Sequence, residues 1–210
     1  MKTFLFKKLI PLFTFLSLSF LLPQSSIAAP PPGNWTIYKS GVVDLTIMGH
    51  PIATQRQCLK YLLRQNPLPL ISVPAAELIK LFYEEAGREG VRPDLAFAQS
   101  LHETGNFRYG GDVIPIQNNY CGLGTTGNKV KGAFFPSARI GVRAQIQHLM
   151  AYATKKHPSL PLVDPRYNLV RYGRNFASCP TWISLNGKWA VPGKTYGQMI
   201  LGIHQKILRE

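Results

Sequence analysis

Carboxylates are scarce in this sequence, and one of them, Glu103, stands where a proton donor would be useful. Only 10 of the 210 residues are Asp or Glu, so carboxylate chemistry must use a member of that short set. Glu103 lies in the last turn of a predicted helix that Gly105 ends. The negative end of a helix disfavours a charged carboxylate by about 0.3–1 kcal/mol, and the resulting raised pKa suits a general acid that works near neutral pH. The local pattern also fits an ordinary surface glutamate at a frayed helix end.

The helix that carries Glu103 is predicted to begin at Pro93 and Asp94. Two sets of side chains follow it at three- and four-residue steps. The small or polar set comprises Ala96, Gln99, Ser100 and Glu103, and the apolar set comprises Leu95, Ala98 and Leu101. We therefore expect this helix to bury one side and to present Glu103 above a shallow strip of small side chains.

Local signals predict further helices around this one. A capping box at Thr54 and Gln57 begins one helix, Pro74 lies in the first turn of the next, and Ser137 caps a later one. A final helix carries apolar side chains at helical spacing, at Tyr196, Ile200, Ile203 and Ile207. These helices are expected to supply the framework that holds Glu103 in place.

Two long stretches, residues 106–136 and residues 158–193, lack helical periodicity. The first is rich in Gly, Asn and aromatic residues, and loop-rich stretches of this length usually carry function. Residues 36–48 hold β-branched side chains around Gly41 and are predicted to contribute a small β-hairpin. The sequence therefore indicates a mainly α fold with long loops between short helices.

Several segments follow one another in an order that resembles a known catalytic domain. They are the helix end at 95–105, the motif Asn119-Tyr120-Cys121-Gly122, the aromatic segment 132–135 and the C-terminal pair 189–192 and 196–200. Over residues 72–208 the chain resembles the glucosaminidase domain of peptidoglycan hydrolases, glycoside hydrolase family 73, which is mannosyl-glycoprotein endo-beta-N-acetylglucosaminidase-like. The resemblance implies a lysozyme-like α+β helical domain. The C-terminal motif departs from the family pattern, because its Asp is absent and Trp189 stands where Tyr is usual.

This resemblance implies hydrolysis of the β-1,4 bond after N-acetylglucosamine in peptidoglycan glycan strands, without a metal or a cofactor. Glu103 would protonate the oxygen of the leaving sugar. The reaction then needs either a second carboxylate or the acetamido group of the substrate itself. Asp112 is the nearest downstream acid and is the candidate second group, although a turn residue after Gly110 and Gly111 fits it as well. Retaining and inverting outcomes both stay open.

Aromatic and amide side chains near these motifs are candidates for sugar binding. Aromatic faces pack against the C–H groups of sugars, and amides bond to hydroxyl and acetamido groups. The candidates are Asn118, Asn119, Tyr120, Phe134, Trp189 and Tyr196. Core packing is the alternative for each aromatic residue. Gly122 is expected to provide a positive-φ turn or a close approach of the backbone to the ligand.

The N-terminal residues 1–28 are predicted to be a secretory signal peptide. Three lysines precede an apolar run over 9–22, and small residues around Ala28 suit cleavage there. The alternative is an uncleaved anchor, but the run is shorter than the ~20 residues that a spanning helix needs. Residues 29–71 are then an N-terminal arm with an accessory helix, and 72–210 form the catalytic domain. We expect a secreted protein of the cell wall or periplasm, with no stable membrane span after cleavage.

The chain is strongly basic, with 24 Lys and Arg against 10 Asp and Glu. Loss of the three N-terminal lysines lowers the net charge from +14 to +11. The expected partners are peptidoglycan strands and anionic wall polymers. Nucleic acid is not expected, because the charges are scattered, no nucleic-acid-binding motif is present and export disfavours it.

Two other functions stay open on the sequence alone. A muramidase or lytic transglycosylase could use the same helical framework and the same lone Glu103. A non-catalytic cell-wall-binding module would use the basic surface and leave Glu103 without a role.

The three cysteines are Cys58, Cys121 and Cys179, and an odd number leaves at least one thiol without an intramolecular partner. Cys121 and Cys179 are a candidate disulfide pair, whereas Cys58 has the setting of a small core residue. No pair of cysteines has the spacing of zinc ligands, so a zinc site is not expected.

Overall fold

The computed structural model describes residues 43–125 and 131–210, so the predicted signal peptide and residues 29–42 of the predicted arm lie outside it. Within the described ranges the helices are α1 Gln55–Gln65, α2 Ala75–Glu89, α3 Pro93–Glu103, α4 Ala138–Ala153, α5 Tyr167–Arg171 and α6 Tyr196–Ile207. The mainly helical fold class is therefore confirmed. None of these helices is both long and apolar enough to cross a membrane.

The segment predicted as a hairpin contributes isolated bridges over its described part. Thr46 bridges to Thr181 and Met48 bridges to Val91, both in the antiparallel sense. These contacts tie the segment to two distant parts of the chain. Residues 36–42 of the predicted hairpin lie outside the described ranges.

Helix boundaries follow the local signals in the sequence. The Thr54 side chain accepts a hydrogen bond from the Gln57 N–H at 3.2 Å, and the Gln57 side chain accepts one from the Thr54 N–H at 2.9 Å. At the start of α4, Ser137 Oγ accepts the Ile140 N–H at 3.3 Å. Gly90 ends α2 with φ 77°, in the left-handed region that glycine adopts without the steric cost of a Cβ. The predicted caps Thr54 and Ser137 therefore cap their helices.

The helix α3 is central and is buried on every side over most of its length. All of its residues from Pro93 to Leu101 are buried, and it packs against α1, α2 and α6. The expected division into one buried side and one open strip is therefore wrong, because neighbouring helices cover the small polar side chains as well. The last turn, which ends at Glu103, reaches solvent.

Four aromatic rings join α2 and α3 to the loop that follows them. The ring centroids of Phe82 and Phe97 are 5.6 Å apart, those of Phe107 and Tyr120 are 6.0 Å apart, and all four side chains are almost completely buried. Full burial of an aromatic side chain such as Phe contributes about 1.5–3 kcal/mol to stability. The end of α3 and its following loop are therefore held by the same core.

A buried carboxylate fixes the start of α3 to two other parts of the chain. Asp94 Oδ2 accepts the N–H groups of Ile52 and Ala53 at 2.8 Å each and contacts His204 Nε2 in α6 at 2.8 Å. Burial opposes ionisation of Asp94, but His204 and the N–H donors outweigh it and hold the pKa of this carboxyl below its usual range. The carboxylate therefore joins α6 and the segment before α1 to α3.

The helix α4 approaches the loop after α3 very closely at Gly141. A Cβ at this position would lie 1.8 Å from the carbonyl oxygen of Asn118 and 3.3 Å from the ring of Tyr120. No side chain larger than that of glycine fits this contact unless the helix and the loop move apart.

All three cysteines lie within the described ranges, and each is a buried free thiol. Cys58 is a core residue, as expected. The candidate bridge between Cys121 and Cys179 does not form, because the two residues belong to different hydrophobic clusters. Cys121 packs with Leu123 and Phe135, whereas Cys179 lies in the main core.

Candidate active site

Glu103 ends α3 at the wall of an open groove. Its Oε1 accepts a hydrogen bond from Trp189 Nε1 at 3.1 Å and a second one from the Tyr196 hydroxyl. These donors follow Glu103 by 86 and 93 residues in the chain. Among the described residues, no Lys, Arg or His forms an ion pair with Glu103. The side chain is therefore a hydrogen-bonded acid whose charge no described cation neutralises.

A chain of buried side chains sets the direction of the Tyr196 hydrogen bond. The Ala96 carbonyl can only accept, so Gln145 Nε2 donates to it at 2.9 Å, and the same nitrogen donates to Gln99 Oε1 at 2.8 Å. Gln99 Nε2 then donates to the Tyr196 hydroxyl oxygen at 2.8 Å. Because that hydroxyl has a single hydrogen, it donates to Glu103 Oε1.

Two donors on Oε1 leave Oε2 as the atom that carries the proton when Glu103 is neutral. Oε2 lies 3.9 Å from the position that a Cβ on Gly122 would occupy. Gly122 adopts φ 69°, the positive value expected from the sequence, and it lines the groove. The acidic proton therefore faces the space in which a substrate would lie.

The pKa of Glu103 is raised above its usual value. Burial is the main cause, and the hydrogen bonds from Tyr196 and Trp189 oppose it because they favour the charged form. The side chain is still accessible to solvent from the groove, although protein atoms surround it on its other sides. A raised pKa was also expected from the sequence, but the main cause of the rise is burial rather than the position at the end of a helix.

Two cavities meet at Glu103 and Gly122. The larger one encloses about 570 Å³ and is lined on its far side by residues within 166–175 and 188–191. The smaller one encloses about 200 Å³, and Asp112 lies in its wall. Together they form a groove that continues on both sides of the carboxyl group, as a polymeric substrate requires.

Asn119 builds the loop beside Glu103 but does not face the groove. Its side chain is fully buried, and its Nδ2 donates to the carbonyls of Leu123 and Ala133 at 2.9 and 3.1 Å. Its Oδ1 accepts the Leu123 N–H at 3.0 Å. Asn119 was expected to bind sugar, but in this structure its polar atoms are used within the loop.

Asn118 and Tyr120 are also structural. Asn118 Nδ2 donates to the Phe135 carbonyl at 3.0 Å, and its Oδ1 accepts hydrogen bonds from Ser72 and Tyr120 at 2.5 and 3.2 Å. Tyr120 is 1% exposed and has no accessible face for a sugar. Both residues therefore shape the loop in this structure, and neither presents a free group to the groove.

The structure brings Trp189 and Tyr196 to Glu103 and leaves Phe134 apart. Tyr196 is 2% exposed, so it contributes its hydroxyl rather than the ring face that was expected. Trp189 is half-buried and lines the larger cavity. Phe134 is 63% exposed and lines neither cavity, so its binding of sugar stays a prediction.

A buried pair that the sequence did not single out lies against Trp189. His148 Nδ1 contacts Asp164 Oδ2 at 2.7 Å, and Asp164 Oδ1 accepts the Arg166 N–H at 2.8 Å. The His148 ring meets the Trp189 ring edge to face, with centroids 4.9 Å apart. The pair therefore supports the Trp189 indole, which donates to Glu103. His148 and Asp164 lie 16 residues apart in the chain, so no local sequence pattern indicated that they pair.

Cys121 also lines the larger cavity, but it is a poor candidate for a nucleophile. Burial raises the pKa of its thiol well above the usual value, and the nearby charge of Glu103 acts in the same direction. Across the ranges that the structure describes, no group of three or more His, Cys, Asp or Glu side chains is placed to hold a metal ion. Glu103 is therefore the stronger candidate for the reacting side chain.

A mainly helical domain with an acid of raised pKa in an open groove is an arrangement suited to glycoside hydrolysis. A family model described as mannosyl-glycoprotein endo-beta-N-acetylglucosaminidase, the glucosaminidase domain, matches residues 79–208. This range covers more than half of the chain and contains Glu103, Trp189 and Tyr196, and the chain belongs to the glucosaminidase family. The description of this family is that of a glycoside hydrolase.

A similar protein occurs in Borreliella burgdorferi (strain ATCC 35210 / DSM 4680 / CIP 102532 / B31), where it is described as an uncharacterized protein. The two sequences are 41% identical over 132 residues, which is 63% of this chain and 62% of that protein. The chain thus spans less than two thirds of the length of this relative.

Proposed function

We propose that this protein is an exported peptidoglycan hydrolase that cleaves the β-1,4 bond after N-acetylglucosamine, with Glu103 as the general acid. Family membership supports the class of reaction. The observation that carries the choice of Glu103 is its geometry: two donors hold Oε1, and Oε2 is left facing the groove. Burial keeps the pKa of this carboxyl raised, so a larger fraction is protonated near neutral pH.

In the proposed reaction the proton moves from Glu103 Oε2 to the glycosidic oxygen as the bond to the anomeric carbon breaks. The carboxylate that remains is stabilised by Trp189 and Tyr196, whose hydrogen bonds are stronger to a charged acceptor. The positive charge that develops at the sugar needs a second group. Asp112, in the smaller cavity, and the acetamido group of the substrate are the two candidates.

Export rests on the N-terminal sequence. Three lysines, an apolar run and small residues before the proposed cleavage after Ala28 are typical of a secretory signal peptide. Peptidoglycan lies outside the cytoplasmic membrane, so the proposed substrate and the proposed destination agree. The basic mature chain would also be attracted to anionic wall polymers.

The test is the digestion of purified peptidoglycan by the wild type and by Glu103→Gln, followed by mass spectrometry of the released fragments. We expect the wild type to produce N-acetylglucosamine reducing ends and Glu103→Gln to lose at least about a hundredfold in rate, because the amide cannot donate a proton as an acid. Glu77→Gln, an exposed change on α2, is the matched control and should retain activity.

The other readings give different products. N-acetylmuramic acid reducing ends would identify a muramidase, and anhydro-muramyl ends would identify a lytic transglycosylase. A wild type that binds wall material but releases no fragments would support the non-catalytic module. Full activity in a folded Glu103→Gln protein would remove Glu103 from the mechanism.

A further inference from the structure

The two cavities that meet at Glu103 differ in charge. Three cationic side chains, Arg166, Arg174 and Lys188, line the larger cavity, and Glu103 is the single acid in its described wall. The smaller cavity contains Glu103 and Asp112, and no Lys, Arg or His belongs to its described wall. The groove therefore changes from positive to negative across the proposed catalytic acid.

The cations of the larger cavity are available to a ligand. Within the described ranges none of the three forms an ion pair, and the guanidinium groups of Arg166 and Arg174 make no hydrogen bond to a described residue. Lys188 Nζ contacts the Ser178 carbonyl and hydroxyl at 3.4 and 3.3 Å, which leaves its charge unneutralised. Such groups suit a carboxylate, which arginine can bind through two parallel hydrogen bonds.

Peptidoglycan has a matching asymmetry. Its strands alternate a neutral sugar, N-acetylglucosamine, with N-acetylmuramic acid, whose lactyl substituent bears a carboxyl group or a stem peptide. When the bond after N-acetylglucosamine breaks, the sugar that keeps the anomeric carbon is neutral and the leaving sugar carries the acidic substituent. In a muramidase the sugar that keeps the anomeric carbon would carry the acidic substituent, and the leaving sugar would be neutral.

Resting on the proposed function, we infer that the larger cavity binds the carboxylate-bearing substituent of the leaving N-acetylmuramic acid, and that the smaller cavity holds the N-acetylglucosamine whose bond is cleaved. The larger cavity, at about 570 Å³ against about 200 Å³, is assigned to the bulkier substituted sugar. Asp112 then lies on the side of the anomeric carbon, where the second catalytic group is needed.

A pair of defined tetrasaccharides tests the orientation. Both have the sequence MurNAc–GlcNAc–MurNAc–GlcNAc, which contains a single bond after N-acetylglucosamine that leads to a muramic acid, and in each one of the two lactyl carboxylates is capped as its methylamide. We expect a cap on the muramic acid after the scissile bond to lower kcat/KM about tenfold, the scale of one charged hydrogen bond, and a cap on the other to have little effect. Equal effects of the two caps, or a larger effect of the other cap, would overturn the assignment.

Substitutions assign the effect to the cavity. The preference is the ratio of kcat/KM for the substrate with an uncapped leaving sugar to that for the capped one. In Arg174→Gln and in Arg166→Gln this ratio should fall toward one. Arg56→Gln, an exposed change on α1 outside both cavities, should keep the wild-type preference. An undiminished preference in both cavity variants would reject the cationic wall as the binding site. Arg174 is exposed and lies outside the helices, so its variant is expected to fold.

Two sources of the carboxylate are separated with longer strands. Strands stripped by an amidase carry lactyl carboxylates, whereas intact strands carry the carboxylates of their stem peptides, and each is compared with its fully amidated form. A preference confined to stripped strands identifies the lactyl group as the ligand, and one confined to intact strands identifies the stem peptide. If the wild type releases fragments with N-acetylglucosamine reducing ends but does not prefer the carboxylate form over the amidated form in either set, this inference alone is overturned. A wild type that releases no such ends would reject the proposed function as well.

Discussion

The proposed role of Glu103 as an acid depends on the different surroundings of its two carboxyl oxygens. Oε1 accepts from an indole and from a phenol, and Oε2 faces the groove. Hydrogen bonds to a charged group are worth about 1.5–3 kcal/mol, so the two donors stabilise the carboxylate that proton transfer leaves behind. Burial acts in the opposite direction and prevails, which keeps the pKa raised. The site thus favours the protonated acid more than water does, and it also hydrogen-bonds to the conjugate base.

Removal of one donor should separate these two effects. In Tyr196→Phe we expect the pKa of Glu103 to rise further, because a hydrogen bond that favours the charged form is lost. A general acid works while it is protonated, so activity falls as pH rises through its pKa, and the alkaline limb of the profile should move to higher pH. The rate at the optimum should fall about ten- to a hundredfold, the value of one charged hydrogen bond.

The measurement is the pH profile of kcat/KM for Tyr196→Phe beside that of Tyr61→Phe. Tyr61 is a buried tyrosine of α1 that lines neither cavity, so its loss of a hydroxyl should leave the profile in place. An alkaline limb that stays fixed, or that moves to lower pH, would show that Tyr196 does not donate to the catalytic acid.

At the scale of elements, local chemistry predicted where helices begin and end but not which surfaces they cover. Thr54 and Ser137 act within a few residues, and their capping roles can be read directly from the chain. The five-residue helix α5 is too short to show periodicity, so its region was expected to be irregular. The burial of α3 on every side depends on α1, α2 and α6 together, and the spacing within α3 does not reveal it.

The contact between α4 and the loop after α3 allows a paired test with glycines. Gly141→Ala is expected to destabilise the protein by about 1–3 kcal/mol or more, because its Cβ would lie 1.8 Å from the Asn118 carbonyl oxygen. Gly202→Ala in α6 meets no atom within 4 Å and should stabilise by about 0.5–1 kcal/mol, since alanine favours a helix. Urea unfolding of both variants checks the signs, and equal effects would argue against this close approach.

The site itself was predictable in part. The sequence pointed to Glu103 through a helix end and through the resemblance to the family, and to Gly122 and Trp189 through motifs that resemble those of the family. The motif also pointed to Asn119 and Tyr120, but it could not show that their side chains are buried, since inward and outward positions look alike in an irregular segment. The His148–Asp164 pair depends on how α4 meets a distant loop.

At the scale of the whole molecule, one buried carboxylate joins segments far apart in the chain. Asp94 accepts hydrogen bonds from the stretch before α1, lies at the start of α3 and pairs with His204 in α6. Loss of one partner of a buried pair costs about 3–5 kcal/mol, because the other is left without compensation. The family match begins at residue 79, yet this contact shows that residues 52 and 53 belong to the same folded body.

Stability should therefore depend on pH through Asp94. Its pKa is lowered by folding, so its contribution is present above the unfolded value of about 3.9 and is lost as pH falls through the folded value. Asp94→Asn should lower the free energy of unfolding by about 3–5 kcal/mol at neutral pH and flatten its decline in acid. Urea unfolding at a series of pH values measures this, with exposed Glu77→Gln as the control. An acid dependence as steep as that of the wild type would assign it to other carboxylates.

The two donors to Glu103 lie near the end of the chain, and this order has a consequence for biosynthesis. The ribosome synthesises residue 103 long before residues 189 and 196 appear. Until Trp189 and the start of α6 pack against α3, the carboxyl group lacks both of its donors and much of the protein that raises its pKa. A nascent or truncated polypeptide that lacks these residues therefore has no assembled acid, and the proposed activity can arise only after both donors have been made.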